Sequence, residues 1–118
     1  MYTTSLFLNQ QTNIAVIYHI ATKADVEANK ADRSYRCESL KTEGFIHCCQ
    51  AEQMAGVVER YYTGVPDLLV LTIDPERLTA DLVFENTVGG EELFPHVYGE
   101  INNEAVTGIL SLDEYLRN

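Results

Sequence analysis

Residues 44–62, Gly44-Phe45-Ile46-His47-Cys48-Cys49-Gln50 running on into AEQMAGVVERYY, change period partway along their length. Phe45 to Cys49 has the short, apolar, aromatic composition of a strand. Phe45, His47 and Cys49 share one of its faces, with Ile46 and Cys48 on the other. From Ala51 the apolar residues return at helical spacing, at Met54, Ala55, Val58, Tyr61 and Tyr62, which predicts a helix over Ala51–Tyr62. Thr63-Gly64 ends it. A strand leading directly into an amphipathic helix, in a chain of this size, points to a mixed fold.

Working outward, Ala15–Ala21 (AVIYHIA) reads as a strand with Val16, Tyr18 and Ile20 on one face and Ile17, His19 and Ala21 on the other. Thr22 is placed to cap a helix from Lys23 to about Lys30, with Asp25 in its first turn. Ala31–Thr42 is polar and reads as irregular. Downstream, Leu68–Ile73 is a buried strand broken by Asp74-Pro75, and Leu82–Glu85 is a weaker one. Phe94–Gly99 is extended, with Pro95 expected to bar it from a central, fully paired position. Val106–Leu112 is the last strand, and Asp113 is read as the cap of a final helical turn. The order β-α-β-α-β-β-β implies a small α+β domain with a largely antiparallel sheet and two flanking helices. Residues 1–14 form an N-terminal extension and 15–118 the single domain.

The chain has 118 residues, enough for one domain. Its 8 Lys+Arg against 18 Asp+Glu give a net charge of −10, which disfavours a broad nucleic-acid surface. Its apolar runs are far short of a membrane span, so no membrane partner is expected. Three cysteines, Cys37, Cys48 and Cys49, form no CxxC pair and leave an odd thiol, which fits a reducing, cytoplasmic location.

The chain has three histidines, each within a compact apolar segment: Tyr18-His19-Ile20, Phe45-Ile46-His47-Cys48 and Phe94-Pro95-His96-Val97-Tyr98. If Val16, Tyr18 and Ile20 pack inward with Ile46, strand alternation sends His19 and His47 to a common cleft. The competing reading is unrelated strand histidines, each with its own hydrogen bond. Glu92, near His96, is a candidate general base, against a solvated surface carboxylate. Tyr98 offers a hydroxyl and a ring to a ribose or base, Arg36 a cation to a phosphate. Ser39, Gly44 and Phe45 flank the same segment and complete the candidate binding set. No HxH or HxxxH pair fixes a metal geometry. His47 and Cys48 point to opposite strand faces, which speaks against a thiol nucleophile served by its neighbour. A metal-free, histidine-lined pocket for a small molecule is the expectation.

YHIA, GFIHC followed by AEQ, LLVLTIDPERL and ELFPHVYG together resemble domain-of-unknown-function family 952, over about Val16 to Leu112. That family in turn is similar to the ADP-ribosyltransferase fold, a split pair of sheets with helices alongside. The resemblance implies NAD as a substrate, with His19 contacting its ribose, His47 flanking the nicotinamide, and Glu92 or His96 setting the reaction. It also extends to RNA 2′-phosphotransferases, whose basic residues this acidic chain lacks. Where relatives carry a Ser or Thr helix cap after GFIHC, this chain has Cys49 and Gln50, which implies a more loosely entered helix. The function so implied is ADP-ribosyl-type transfer on NAD or a nucleotide ribose. The alternative is a non-catalytic small-molecule-binding or protein-interaction module.

Overall fold

Thr22 ends the first strand and starts the first helix in one residue. Its hydroxyl accepts the Asp25 N–H at 3.0 Å, so β1 (Ile17–Thr22) passes directly into α1 (Lys23–Ala28). The computed structural model describes residues 15–117; the expected extension, 1–14, lies outside them. The chain continues as β2 (Ser34–Tyr35), α2 (Glu38–Glu43), β3 (Ile46–His47), a 3₁₀ turn (Ala51–Gln53) and α3 (Met54–Tyr61). Then follow β4 (Leu68–Ile73), β5 (Asp81–Glu85), β6 (Phe94–Tyr98), β7 (Ile101–Asn102), β8 (Val106–Ser111) and α4 (Leu112–Arg117).

The strands form three antiparallel sheets, β1-β4-β8, β2-β7 and β3-β6-β5. The small α+β domain with antiparallel pairing stands as expected, divided among more pieces. The segment read as irregular, Ala31–Thr42, contains β2 and most of α2. Their two- and six-residue lengths are too short to show a hydrophobic period. Among the described residues there are four α-helices, and no helix is long and apolar enough to cross a membrane.

Both faces of the first sheet are covered. Ile17, Ala21, Leu71 and Ile73 pack with Ile46, Val97 and Ile101 on one side. On the other, Ile20, Leu68 and Val70 pack with Met54 of α3, under Val57, Val58 and Tyr62. Ala51 and Ala55, expected on the buried face of this helix, are exposed. Ile46 therefore packs with the Ile17 and Ala21 face of β1. The premise that set it against Val16, Tyr18 and Ile20 is overturned.

Three local expectations are also corrected. Pro95 stands in β6, the central strand of its sheet. It is tolerated because it lies past the two-residue β3 ladder, where its carbonyl still accepts the Cys48 N–H at 3.0 Å and its missing N–H costs at most one bond. The helix after GFIHC is not loosely entered, because the Gln53 side-chain oxygen accepts the Gln50 N–H at 2.9 Å. The last helix is capped by Ser111, whose hydroxyl accepts the Glu114 N–H at 3.1 Å, and not by Asp113.

Candidate functional site

Register in the third sheet sets the site. His47 lies opposite His96, and His96 opposite Val83. Ile46 pairs with Val97 and both are fully buried, so alternation sends His47 and His96 to the sheet's other face. Their rings meet edge-on with centroids 5.3 Å apart. Phe45 stacks on His96 at 4.1 Å and 18°, and touches the rings of His47 and Tyr98. Under that cover His96 is only 3% exposed.

Gly44 and Ser39 act on the placement of Phe45. Gly44 ends α2 in the left-handed region, at φ +89°, which a side chain would strain. The Ser39 hydroxyl donates to the Phe45 carbonyl at 2.9 Å.

The polar partner of His96 comes from β5, and that partner is held in turn from the strand of His96. Its Nδ1 donates to Glu85 Oε2 at 2.8 Å, and the Tyr98 hydroxyl donates to the same oxygen. These two bonds, Tyr98 first and His96 second, hold the Glu85 carboxyl below its ordinary range, so it is ionised in neutral solution. The carboxylate raises the Tyr98 hydroxyl pKa in return. A carboxylate can only accept, so Nδ1 carries the proton, and in the neutral ring Nε2 is the basic nitrogen. Among the described residues Nε2 has no hydrogen-bond partner.

A cavity of about 390 Å³ opens beside this ring. His47, His96, Phe94, Tyr61, Tyr62 and Glu43 form much of its wall, together with Cys48, Val57, Thr87 and Val88. Its size falls within the range of small-molecule sites. At its edge His47 Nε2 meets Glu43 Oε2 at 3.1 Å, one helical turn earlier in the chain.

His19 does not join this cavity. Its ring is 5% exposed, on the Ile17 and Ala21 side of β1. Nδ1 donates to the His47 carbonyl at 2.6 Å, and the Tyr35 hydroxyl donates to Nε2 at 2.9 Å. Burial lowers its pKa from 6.5 to about 4, so it is neutral with both nitrogens engaged. The expected common cleft thus receives the side chains of His47 and His96, and only His19's link to the main chain of His47.

Glu92 does not reach His96. Its carboxylate accepts from the Gln53 amide at 3.2 Å, while Glu85 fills the partner role. The same amide donates to the Leu93 carbonyl at 2.8 Å, which ties the start of α3 to the entry of β6. Arg36 is exposed and paired with Asp32 at 3.2 Å and Glu100 at 3.7 Å, outside the cavity wall. Glu43 and Glu85 were not singled out in the sequence. Glu43 carried a signal, four residues before His47 at the end of a turn. Glu85 becomes visible only once β5 and β6 are paired in register.

Burial raises the thiol pKa of Cys48, and that of Cys49 to about 12, so both stay protonated in neutral solution. Among the described residues no group of three or more His, Cys, Asp or Glu side chains is placed to hold a metal ion.

Residues 20–109 match the family described as "Protein of unknown function (DUF952)". No curated protein matches the chain. The crystal structure of protein CC0527 from Caulobacter crescentus is similar, with a TM-score of 0.75 and 27% identity over 87% of this chain and 99% of that one. The solution structure of CC0527 gives a TM-score of 0.71 and 30% identity, over 84% and 85%. Neither is described as an ADP-ribosyltransferase.

Proposed function

The chain belongs to the DUF952 family of proteins of unknown function, and we propose from its own geometry that it is an enzyme using His96 as a general base on a small molecule. One observation carries this reading. A buried histidine, anchored at Nδ1 by an ionised glutamate, lines a cavity of small-molecule size, and its Nε2 has no partner among the described residues. A carboxylate behind an imidazole fixes its tautomer and stabilises the imidazolium that forms when it takes a proton. Glu85 is the orienting group, Tyr98 fixes Glu85, and Phe45 holds the ring by stacking. His47, its Nε2 facing Glu43, is the second polar group beside the ligand.

ADP-ribosyl-type transfer on NAD or a nucleotide ribose is the specific reaction that the motif resemblance supports. In it, Nε2 would take the proton of the attacking hydroxyl as that oxygen bonds to the ribose C1′. The glycosidic C–N bond breaks and nicotinamide leaves with its electron pair. The cavity wall contains no Lys or Arg, so the diphosphate would lie outside it. The free thiols of Cys37, Cys48 and Cys49 support the cytoplasmic location expected for such chemistry.

The test is titration of NAD and ADP-ribose against the imidazole NMR signals, followed by a nicotinamide-release assay. Shifts of His47 and His96, with release abolished in His96→Ala, are expected. Absence of any shift at millimolar ligand overturns the nucleotide reading. Saturable binding without release in cell extract, where an acceptor is supplied, favours the non-catalytic module.

A further inference from the structure

We infer that the His47–His96 cavity selects an organic cation, an aromatic or aliphatic ammonium, over neutral and anionic ligands of the same shape. This rests on the reading of that cavity as a small-molecule site and adds the charge of what enters it. Ten residues form the wall, and none is Lys or Arg. Its one carboxylate, Glu43, uses Oε2 toward His47, while Oε1 has no partner among the described residues. Behind His96 lies a second carboxylate, Glu85, held ionised by Tyr98 and His96. With His96 neutral, these groups leave the site negative even when His47 is protonated, within a chain of net charge −10.

Aromatic rings supply the other half of the recognition. Tyr61, Tyr62 and Phe94 stand in the wall, and an ammonium over such a face is attracted by its electron density. An entering anion would give up its water with no Lys or Arg in the wall to pair with it. Nε2 of the buried His96, without a partner among the described residues, is an acceptor in the neutral ring, and an ammonium N–H is a donor that satisfies it.

Three indole compounds of one shape and three charges test this: tryptamine, tryptophol and indole-3-acetate. The full chain is titrated with each near neutral pH, and binding is read from the His47 and His96 imidazole signals. Tryptamine is expected to move both and to bind about tenfold more tightly than tryptophol, with indole-3-acetate weakest. In Glu43→Gln, an exposed position, the ratio of tryptamine to tryptophol affinity should fall toward one. Equal or tighter binding of tryptophol or indole-3-acetate overturns the cation preference and leaves the site standing. If none of the three moves His47 or His96 at millimolar concentration, the preference and the small-molecule reading fall together.

Discussion

The imidazole of His19 donates from Nδ1 to the main-chain carbonyl of His47 across 2.6 Å, so a side chain of the first sheet holds the backbone of the third. Two main-chain bonds between Tyr18 and Cys49 lie beside it, and Tyr35 of the second sheet closes the other side of the ring. His19 is a three-way joint between sheets that share no ladder, and it positions His47 from behind.

His19→Ala removes the side-chain partner of the His47 carbonyl and of the buried Tyr35 hydroxyl, and is expected to cost about 2–4 kcal/mol by denaturant unfolding at pH 7. The wild-type chain should also lose stability on acidification. The native pKa of His19 is depressed by burial from 6.5 to about 4, so below pH 6.5 its imidazole takes up a proton in the unfolded chain that it refuses in the native one. The loss grows as pH falls toward 4, reaching about 3 kcal/mol, and then levels off. A stability profile flat across that window for this group, judged against His19→Asn, would contradict the assignment.

Glu85→Gln keeps the shape but replaces an acceptor-only carboxylate by a neutral amide that can also donate, so the His96 tautomer is no longer fixed. Imidazole ¹⁵N shifts should show a proton on Nδ1 in the wild type and a mixture in the variant. Any turnover should fall by about 10²–10⁴. Tyr98→Phe removes the hydroxyl whose hydrogen bond does most to hold the Glu85 pKa down, so the Glu85 titration followed by ¹³C NMR should move up.

Gln53→Ala removes the side chain that accepts from Gln50 and donates to Leu93 and Glu92. Gln53 is 7% exposed, and a loss of about 1–3 kcal/mol is expected. Amide exchange should rise at the start of α3 and across 86–93, the loop that brings Thr87 and Val88 to the cavity. An unchanged exchange pattern would detach this residue from the site.

Gly99→Ala would bring a new Cβ to 2.7 Å from the Ala80 Cβ. Overpacking there should cost about 1–3 kcal/mol. The penalty should shrink in an Ala80→Gly background, which thermal unfolding of the double variant would read. Equal penalties in the two backgrounds would place the effect elsewhere.

The long elements were legible because their signals are local. Leu68–Ile73 matches its strand to the residue, and Thr22 caps α1 as its hydroxyl predicts. Two-residue strands such as β2 and β7 exist only by virtue of each other, and no window of sequence contains both. The histidine segments were recognisable as unusual, yet their sorting depended on which face of β1 meets Ile46. That is a packing outcome. The same holds for Glu85, since carboxylates near His96 in sequence, such as Glu92, turned elsewhere.

The buried pair Cys48 and Cys49 supplies a clock for the whole molecule. An alkylating reagent needs an accessible thiolate, and both groups lie in the packed interior as thiols. Their modification rate therefore counts the openings of the interior, with the half-exposed Cys37 as the early reference. A ligand that fills the cavity touching Cys48 should slow that count, which makes reagent uptake a way to screen compounds before any reaction is known.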